Sequence, residues 1–368
     1  MAPGRRPGRG RSMRELPYKL QAKIVANRPK HLFERLHEHL HEHDVDARLS
    51  GDSLFVDLPA VSGILRLMDG GIEVDIAASD LESLYFAKVW LQDAVAEDPA
   101  PGTIRIVWSE DCLQRHLPPS FSVLTVDDIV DITPRIRRIR FRAADARSFE
   151  TLDDLHLRIL FNFEELAEQH ASRRSRLEPS PPDVAPIWRA YTVRSVEPED
   201  HIIAVDFVLH SAEGPGSRWA MRARRGDVVG AAGPSGGGYS DAAWYLLAGD
   251  ETALPAISRI LESLDERATA TVMIEVGSPT DTIFFTSKAA VETRWLYRDD
   301  HDGDCRGGLA RAIASMEFPD ASRKRFAWIA SERGTAKAVR ATLRDRGFTK
   351  EEQSVAAYWH DLRQVSAI

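Results

Sequence analysis

Apolar residues along this chain change rhythm several times, and each change marks an element. From Leu20 to His43 the side chains Leu20, Ile24, Leu32, Phe33, Leu36 and Leu40 recur at helical spacing, which predicts one amphipathic helix. Residues 46–58 alternate instead, with Leu49, Leu54 and Val56 expected inward. Two short strands follow, Gly63–Leu67 and Gly71–Ile76, joined by a hairpin turn at Met68-Asp69-Gly70-Gly71. Helical spacing returns from Asp80 to Ala96 through Leu81, Leu84, Phe86, Val89 and Leu91, and Thr103 to Trp108 reads as a strand closing the sheet. The expectation is a small α+β domain over residues 18–115.

Past Pro118-Pro119 the pattern is rich in β signals. Phe121–Val130, Ile132–Phe141, Asp154–Phe161, Arg189–Arg194 and His201–His210 read as strands. Residues 164–186 are charged and Pro-rich and are predicted as a long loop, on the surface or bordering a site. From Trp244 onward strands at 244–248, 271–277, 293–297 and 325–330 alternate with helices at 253–264, 309–316 and 334–346. That alternation implies a parallel sheet, with ligands at the carboxyl ends of its strands. The whole reads as multidomain: a basic tail over 1–17, the α+β domain, an antiparallel β-barrel over 120–240, and an α/β parallel-sheet domain over 241–368.

Composition narrows the function classes. The formal net charge of −8 argues against a nucleic-acid binder. Two cysteines, Cys112 and Cys305, are too few for a disulfide framework or an iron–sulfur cluster, and fit a reducing cytoplasm. No apolar run has the length of a membrane span. Arg5, Arg6, Arg9, Arg11 and Arg14 have no apolar stretch after them, so the tail reads as a basic segment or a weak electrostatic tether rather than a targeting signal.

Four features bear on chemistry. In His37-Glu38-His39-Leu40-His41-Glu42-His43, His37 with His41 and His39 with His43 stand at i, i+4, a spacing suited to zinc or nickel; a solvated helix face is the other reading, and no metal is expected. Arg137, Arg140 and Arg142 on one strand, with Arg298 later, form either a solvated face or a positive wall for an anionic substrate. The acidic run at 299–308 lacks the ordered spacing of a calcium loop. The central feature is Arg189-Ala190-Tyr191-Thr192, followed by a break at Gly214-Pro215, with Ser217 expected as a helix N-cap. A cation, a ring, a hydroxyl and the free amides of a helix start together suit a large, flat, phosphorylated aromatic ligand.

These residues carry a resemblance. Arg189-x-Tyr191-Thr192, Asp206 to His210, Gly214 to Ala220, Gly226-Asp227, Gly233-Pro234 and Leu247 to Ile257 resemble, in order and spacing, motifs of the siderophore-interacting proteins, a branch of ferredoxin-reductase-like flavoenzymes. The resemblance runs from about Ser120 to the end. Residues 18–115 are similar, more loosely, to a small domain of unknown function found fused to that family. The resemblance implies FAD, with Arg189 and the loop around Ser217 on its phosphates, Tyr191 against the isoalloxazine and Thr192 near N5. It extends the cofactor set to Asp206, Val208, His210, Gly214, Arg218 and Trp219; a structural role for Asp206 and His210, and a core role for Trp219, are the other readings. Gly249, Asp250, Glu251 and Thr252 would hold NADPH or NADH. Arg158 stands where the family usually carries Lys, and Ser331 where Trp328-Ile329-Ala330-Ser331-Glu332 matches a motif with Gly. Tyr358-Trp359 matches an aromatic pair that either closes over the flavin or pins the last strand.

The resemblance therefore implies a cytoplasmic FAD-dependent NAD(P)H:ferric-siderophore reductase that serves iron acquisition, with Tyr191 and Thr192 at the reacting ring. A flavin reductase with another electron acceptor, such as a ferredoxin or a quinone, and a non-catalytic flavin- or siderophore-binding sensor are the alternatives.

Overall fold

The computed structural model describes residues 16–42, 45, 47–96, 104–109, 117–174, 186–209, 214–298, 308–320 and 322–360. The chain divides into two compact units between Ser120 and Phe121. The basic tail, His43, Cys112, His210, the loop at 299–307 and Cys305 lie outside the described residues.

The first unit contains β1 (Tyr18–Val25), α1 (Pro29–Glu42), β2 (Ala47–Ser50), β3 (Ser53–Asp57), β4 (Val61–Met68), β5 (Gly71–Ala78), α2 (Leu81–Ala96) and β6 (Arg105–Trp108). Its six strands form an antiparallel sheet in the order β2-β3-β4-β5-β1-β6. Leu20, Ile24, Ile72, Val74 and Leu65 from the sheet are buried along with Leu32, Leu36, Leu84 and Leu91 from the helices. The single helix expected from Leu20 to His43 is instead a strand and a helix. Leu20 and Ile24 fit a period of two as well as a helical one. Leu20, Ala22 and Ile24 are the buried members of an alternating run, and pairing with β5 settles the choice. Pro29 then opens α1, where its fixed φ suits a helix start. Leu49, expected inward, is 50% exposed because β2 is an edge strand with a neighbour on one side only.

The second unit begins with β7 (Ser122–Thr133), β8 (Ile136–Ala143), β9 (His156–Leu160), α3 (Phe163–Arg174), β10 (Trp188–Glu197), β11 (Ile202–Val208), α4 (Pro215–Arg222) and β12 (Val228–Ser235). Its strands close into an antiparallel barrel in the order β10-β11-β8-β7-β12-β9. Leu124, Ile139, Phe141, Leu157, Ile159, Val205 and Phe207 fill it. The first part of the expected long loop is α3, whose Glu164 and Glu165 complement the helix N-terminus. Residues 175–185 lie outside the described set.

The barrel is followed by β13 (Trp244–Asp250), α5 (Leu254–Ser263), β14 (Thr269–Val276), β15 (Ala290–Tyr297), α6 (Gly308–Ser315), β16 (Arg325–Glu332), α7 (Arg333–Asp345) and β17 (Gln353–Trp359). All pairings here are parallel, in the order β15-β14-β13-β16-β17. Every residue of β13 is buried, as a central strand covered on both faces requires. The strand order reverses between β13 and β16, so the crevice for a ligand lies at their carboxyl ends.

Candidate functional site

β10 brings the central motif together. Arg189 is exposed, and its guanidinium donates to the Trp188 carbonyl at 2.7 Å without a carboxylate partner among the described residues. Tyr191 faces the barrel's aromatic cluster, with its ring centroid 4.6 Å from that of Phe207 and 5.9 Å from that of Phe161. Burial pushes its phenol pKa up, against the nearby Arg189 charge, so the hydroxyl stays protonated. The same hydroxyl abuts Gly216 in the first turn of α4, where any Cβ would collide with it. Gly216 is therefore what lets α4 approach β10.

Ser217 is not the N-cap. Gly214 takes that position in extended conformation and Pro215 follows, leaving Ser217 buried within the first turn. The first intrahelical bond is Arg218 N to Gly214 O at 3.0 Å, so the amides of Gly216 and Ser217 precede the helical ladder. Arg218 is exposed beside them. Trp219 joins the aromatic cluster: its ring stacks at 18° on Phe141 and lies 5.8 Å from Phe207, which makes it part of the barrel wall.

Thr192, on the opposite face of β10 from Tyr191, is 5% exposed, and its Oγ1 makes no hydrogen bond of sound geometry. Such orphans are uncommon in folded proteins. The Tyr358 hydroxyl lies near it but bonds His156 Nε2 instead. Burial pushes the Tyr358 pKa up, partly offset by the Thr192 hydroxyl. Burial, with the Arg259 charge, pulls His156 down to about 4, so its ring is neutral at physiological pH. Thus β9 and β10 of the barrel and β17 of the sheet converge on one small polar cluster.

The other expected cofactor residues are differently engaged. Asp206 accepts a fork from Arg138, at 2.6 Å and 2.8 Å, and is 9% exposed; it braces β8 against β11. Val208 ends β11 half-buried. The arginines do not form one wall. Strand alternation sends Arg140 and Arg142 to one face and Arg137 to the other. Arg137 donates to the Ala220 and Met221 carbonyls at the end of α4 and pairs with Asp131 at 2.7 Å. Arg140 forks onto Glu197 and Arg142 pairs with Asp127 at 2.7 Å. Arg298 belongs to the parallel sheet, bonded to Glu251 and 3.6 Å from Glu275.

At the switch point the expected nucleotide loop is built into the scaffold. Gly249 has no room for a Cβ because the Ala330 carbonyl and Ala253 lie against it. Each oxygen of Asp250 takes two donors: Oδ1 accepts from Thr252 N (2.9 Å) and Thr252 Oγ1 (2.5 Å), Oδ2 from Glu332 N (3.1 Å) and Trp359 Nε1 (2.8 Å). Burial pushes the Asp250 pKa up and those donors hold it back. Glu251 accepts from Gly277 N at 3.0 Å, and Glu332 caps α7 through Gly334 N and Thr335 N. The Thr252 donors expected for a phosphate are thus taken up internally, and Trp359 pins the last strand.

Sequence reasoning missed Arg259. It is buried on α5 and donates to the carbonyls of Val193, Phe149 and Thr151 at 3.1, 2.5 and 2.9 Å. Its signal was a lone cation on the apolar face formed by Leu254, Ile257, Ile260 and Leu261. His156 and Tyr358 lie 202 positions apart in sequence, and no local pattern joins them.

An FAD fits the residues present: an exposed cation with no carboxylate partner among the described residues, the first turn of α4 against Tyr191, and a buried hydroxyl without a hydrogen bond on the same strand as that cation. The sequence profile of the siderophore-interacting FAD-binding domain matches residues 125–238, and that of the siderophore-interacting protein matches residues 242–361. The ferric vibriobactin reductase ViuB of Vibrio cholerae is 32% identical over 181 residues, covering 48% of this chain and 66% of that protein. Among solved structures, a siderophore utilization protein from T. fusca shares a TM-score of 0.56 and 29% identity over 66% of this chain and 93% of its own. The siderophore-interacting protein SipS from Aeromonas hydrophila shares a TM-score of 0.55 and 25% identity over 66% of this chain and 92% of its own. Among the described residues no helix is long and apolar enough to cross a membrane.

Proposed function

We propose, starting from a chain that belongs to the siderophore-interacting protein family, that this protein is an FAD-dependent NAD(P)H:ferric-siderophore reductase. The observation that carries the reading is the buried Thr192 Oγ1, which has no hydrogen bond of sound geometry and lies on the same strand as Arg189 and Tyr191. The similarity to a ferric vibriobactin reductase supports the substrate class.

When bound, the flavin would supply the conversion of one two-electron input from the nicotinamide into two one-electron outputs. The chain supplies position and charge. Arg189 and the first-turn amides of α4 would hold the phosphates. Thr192 Oγ1 would bond the ring edge at N5, gaining the partner it lacks. Tyr191, kept protonated by burial, would wall the ring without adding charge. The neutral His156–Tyr358 pair would keep the far side of Thr192 free of net charge. Each Fe(III) takes one electron and becomes Fe(II). The lower ion charge weakens its bonds to the hard oxygens of a siderophore, so the metal leaves for a competing ligand.

The test is spectral. Purified protein should show a two-banded flavin spectrum that bleaches with NADH or NADPH under anaerobic conditions. It should then return as a ferric siderophore is added over a trap for Fe(II). A colourless protein that takes up no added FAD would end the reading.

A further inference from the structure

We propose that His37 and His41, on the outer face of α1, form a two-histidine site for a divalent first-row transition ion that accepts nitrogen ligands near a right angle, namely Cu2+ or Ni2+. The pair belongs to the first unit and takes no part in the flavin cluster or the switch point.

The argument is geometric. His37 and His41 stand one turn apart, so both project from the same face of α1. Their Nε2 atoms are 3.0 Å apart, their ring centroids 4.6 Å apart, and their planes inclined at 61°. Each ring nitrogen lies ~1.15 Å from its own centroid, so a hydrogen bond in line with both rings would separate the centroids by about 5.3 Å. The observed separation is shorter, so the two rings are bent out of line across their hydrogen bond, a separation that two imidazoles facing one shared ion would also give.

That separation suits a metal ion. With metal–nitrogen bonds of about 2.05 Å, an Nε2–Nε2 distance of 3.0 Å corresponds to a nitrogen–metal–nitrogen angle of about 94°. The same construction places the centroids about 4.7 Å apart, close to the observed 4.6 Å. A tetrahedral angle would require about 3.35 Å between the nitrogens. The pair therefore fits two adjacent corners of a square or an octahedron, the preference of Cu2+ and Ni2+, better than the tetrahedron of Zn2+.

The surroundings agree. His41 is exposed and His37 half-buried, so an ion has access. Glu34 and Glu38 are exposed three residues before each histidine and add negative charge on that side of the helix. Among the described residues no group of three or more His, Cys, Asp or Glu is placed to hold an ion. Water would complete the coordination, and the ion would exchange. His39 is turned elsewhere, with its ring centroid 5.5 Å from that of Trp90 on α2.

The experiment is a calorimetric titration of the full chain with Cu2+, Ni2+ and Zn2+ in a non-coordinating buffer, with electron paramagnetic resonance of the Cu2+ complex. The expected result is one site per chain, strongest for Cu2+ and weakest for Zn2+, with nitrogen hyperfine structure. His37→Ala or His41→Ala should weaken Cu2+ binding at least ten-fold, and His39→Ala should leave it in place. Melting temperatures in chelator should match the wild type, since both rings face outward. Unchanged stoichiometry and affinity in the double variant His37→Ala/His41→Ala would overturn the proposal. So would binding lost on His39→Ala and retained in the double variant. Neither readout depends on flavin content.

Discussion

Arg259 on α5 donates to the carbonyl of Val193 at 3.1 Å, and Val193 directly follows Thr192 on β10. The helix that starts at the switch-point loop is thereby tied to the strand that carries the candidate flavin hydroxyl. Burial lowers the Arg259 pKa, with the Arg194 charge adding to the effect. Arg259→Met keeps most of the volume and removes the donors to three carbonyls. The expected loss is about 2–4 kcal/mol of stability, read as a lower melting temperature, together with weaker flavin retention. A variant that melts like the wild type would show that the tie carries no load.

Gly216 and Tyr191 make a second testable pair. Gly216→Ala places a methyl group against the Tyr191 hydroxyl and near Phe161, so α4 must move off β10. Flavin retention should fall. Tyr191→Phe in the same chain removes the oxygen and should restore part of it, a non-additivity that a double-mutant cycle measures. Additive losses would mean that the two residues act separately.

Thr192→Val keeps the shape of the side chain and deletes the oxygen. If that oxygen serves a bound ring, FAD should dissociate about ten-fold more readily, which corresponds to one charge-neutral hydrogen bond of about 1.4 kcal/mol. Stripped of flavin, the variant should be no less stable than the wild type, because it no longer buries an orphaned group. Equal FAD affinity in the two proteins would remove Thr192 from the site.

His156 sets a pH window. Its folded pKa of about 4 lies below the unfolded value of 6.5. Between those values the unfolded chain takes up a proton that the folded chain does not. Stability from this residue is therefore complete above pH 6.5 and declines as pH falls toward 4, by at most about 3 kcal/mol. His156→Gln should flatten that part of the stability curve, as followed by urea unfolding at several pH values. An identical slope in both proteins would count against the burial of a neutral ring.

Asp250→Asn tests the switch point. Each Asp250 oxygen faces two donors, so either orientation of an amide turns its NH2 toward a donor. The expected cost is about 2–4 kcal/mol, with loss of the Trp359 contact visible as a change in tryptophan fluorescence. A variant of unchanged stability would mean that the four bonds tolerate an amide.

Much of the architecture was readable from hydrophobic rhythm, because burial imposes period two on the barrel strands and continuous apolar runs on β13 and β16. The rhythm failed at Leu20 and Ile24, whose spacing fits both periods; only the partner strand β5 distinguishes them. Arg189, Tyr191 and Thr192 were legible because they share one strand. Ser217 was misplaced as N-cap by three positions, since Gly214-Pro215 already begins the helix. The engagement of Asp206 with Arg138, and of Thr252 with Asp250, was not legible, because a polar side chain gives no sign in sequence of whether its partner is a ligand or a neighbour. The His156–Tyr358 contact joins distant positions and follows only from packing the sheet against the barrel.

The ion pairs along β8 bear on how ligands arrive. Arg137, Arg138, Arg140 and Arg142 are matched by Asp131, Asp206, Glu197 and Asp127. Seen from several ångströms away, such pairs are dipoles rather than charges, and their fields fade faster than that of a lone cation. A diffusing anion approaching this strand is therefore not drawn in from a distance, and the chain's overall charge of −8 repels it weakly. Capture there rests on collisions and short-range fit, so its association rate should change little with ionic strength.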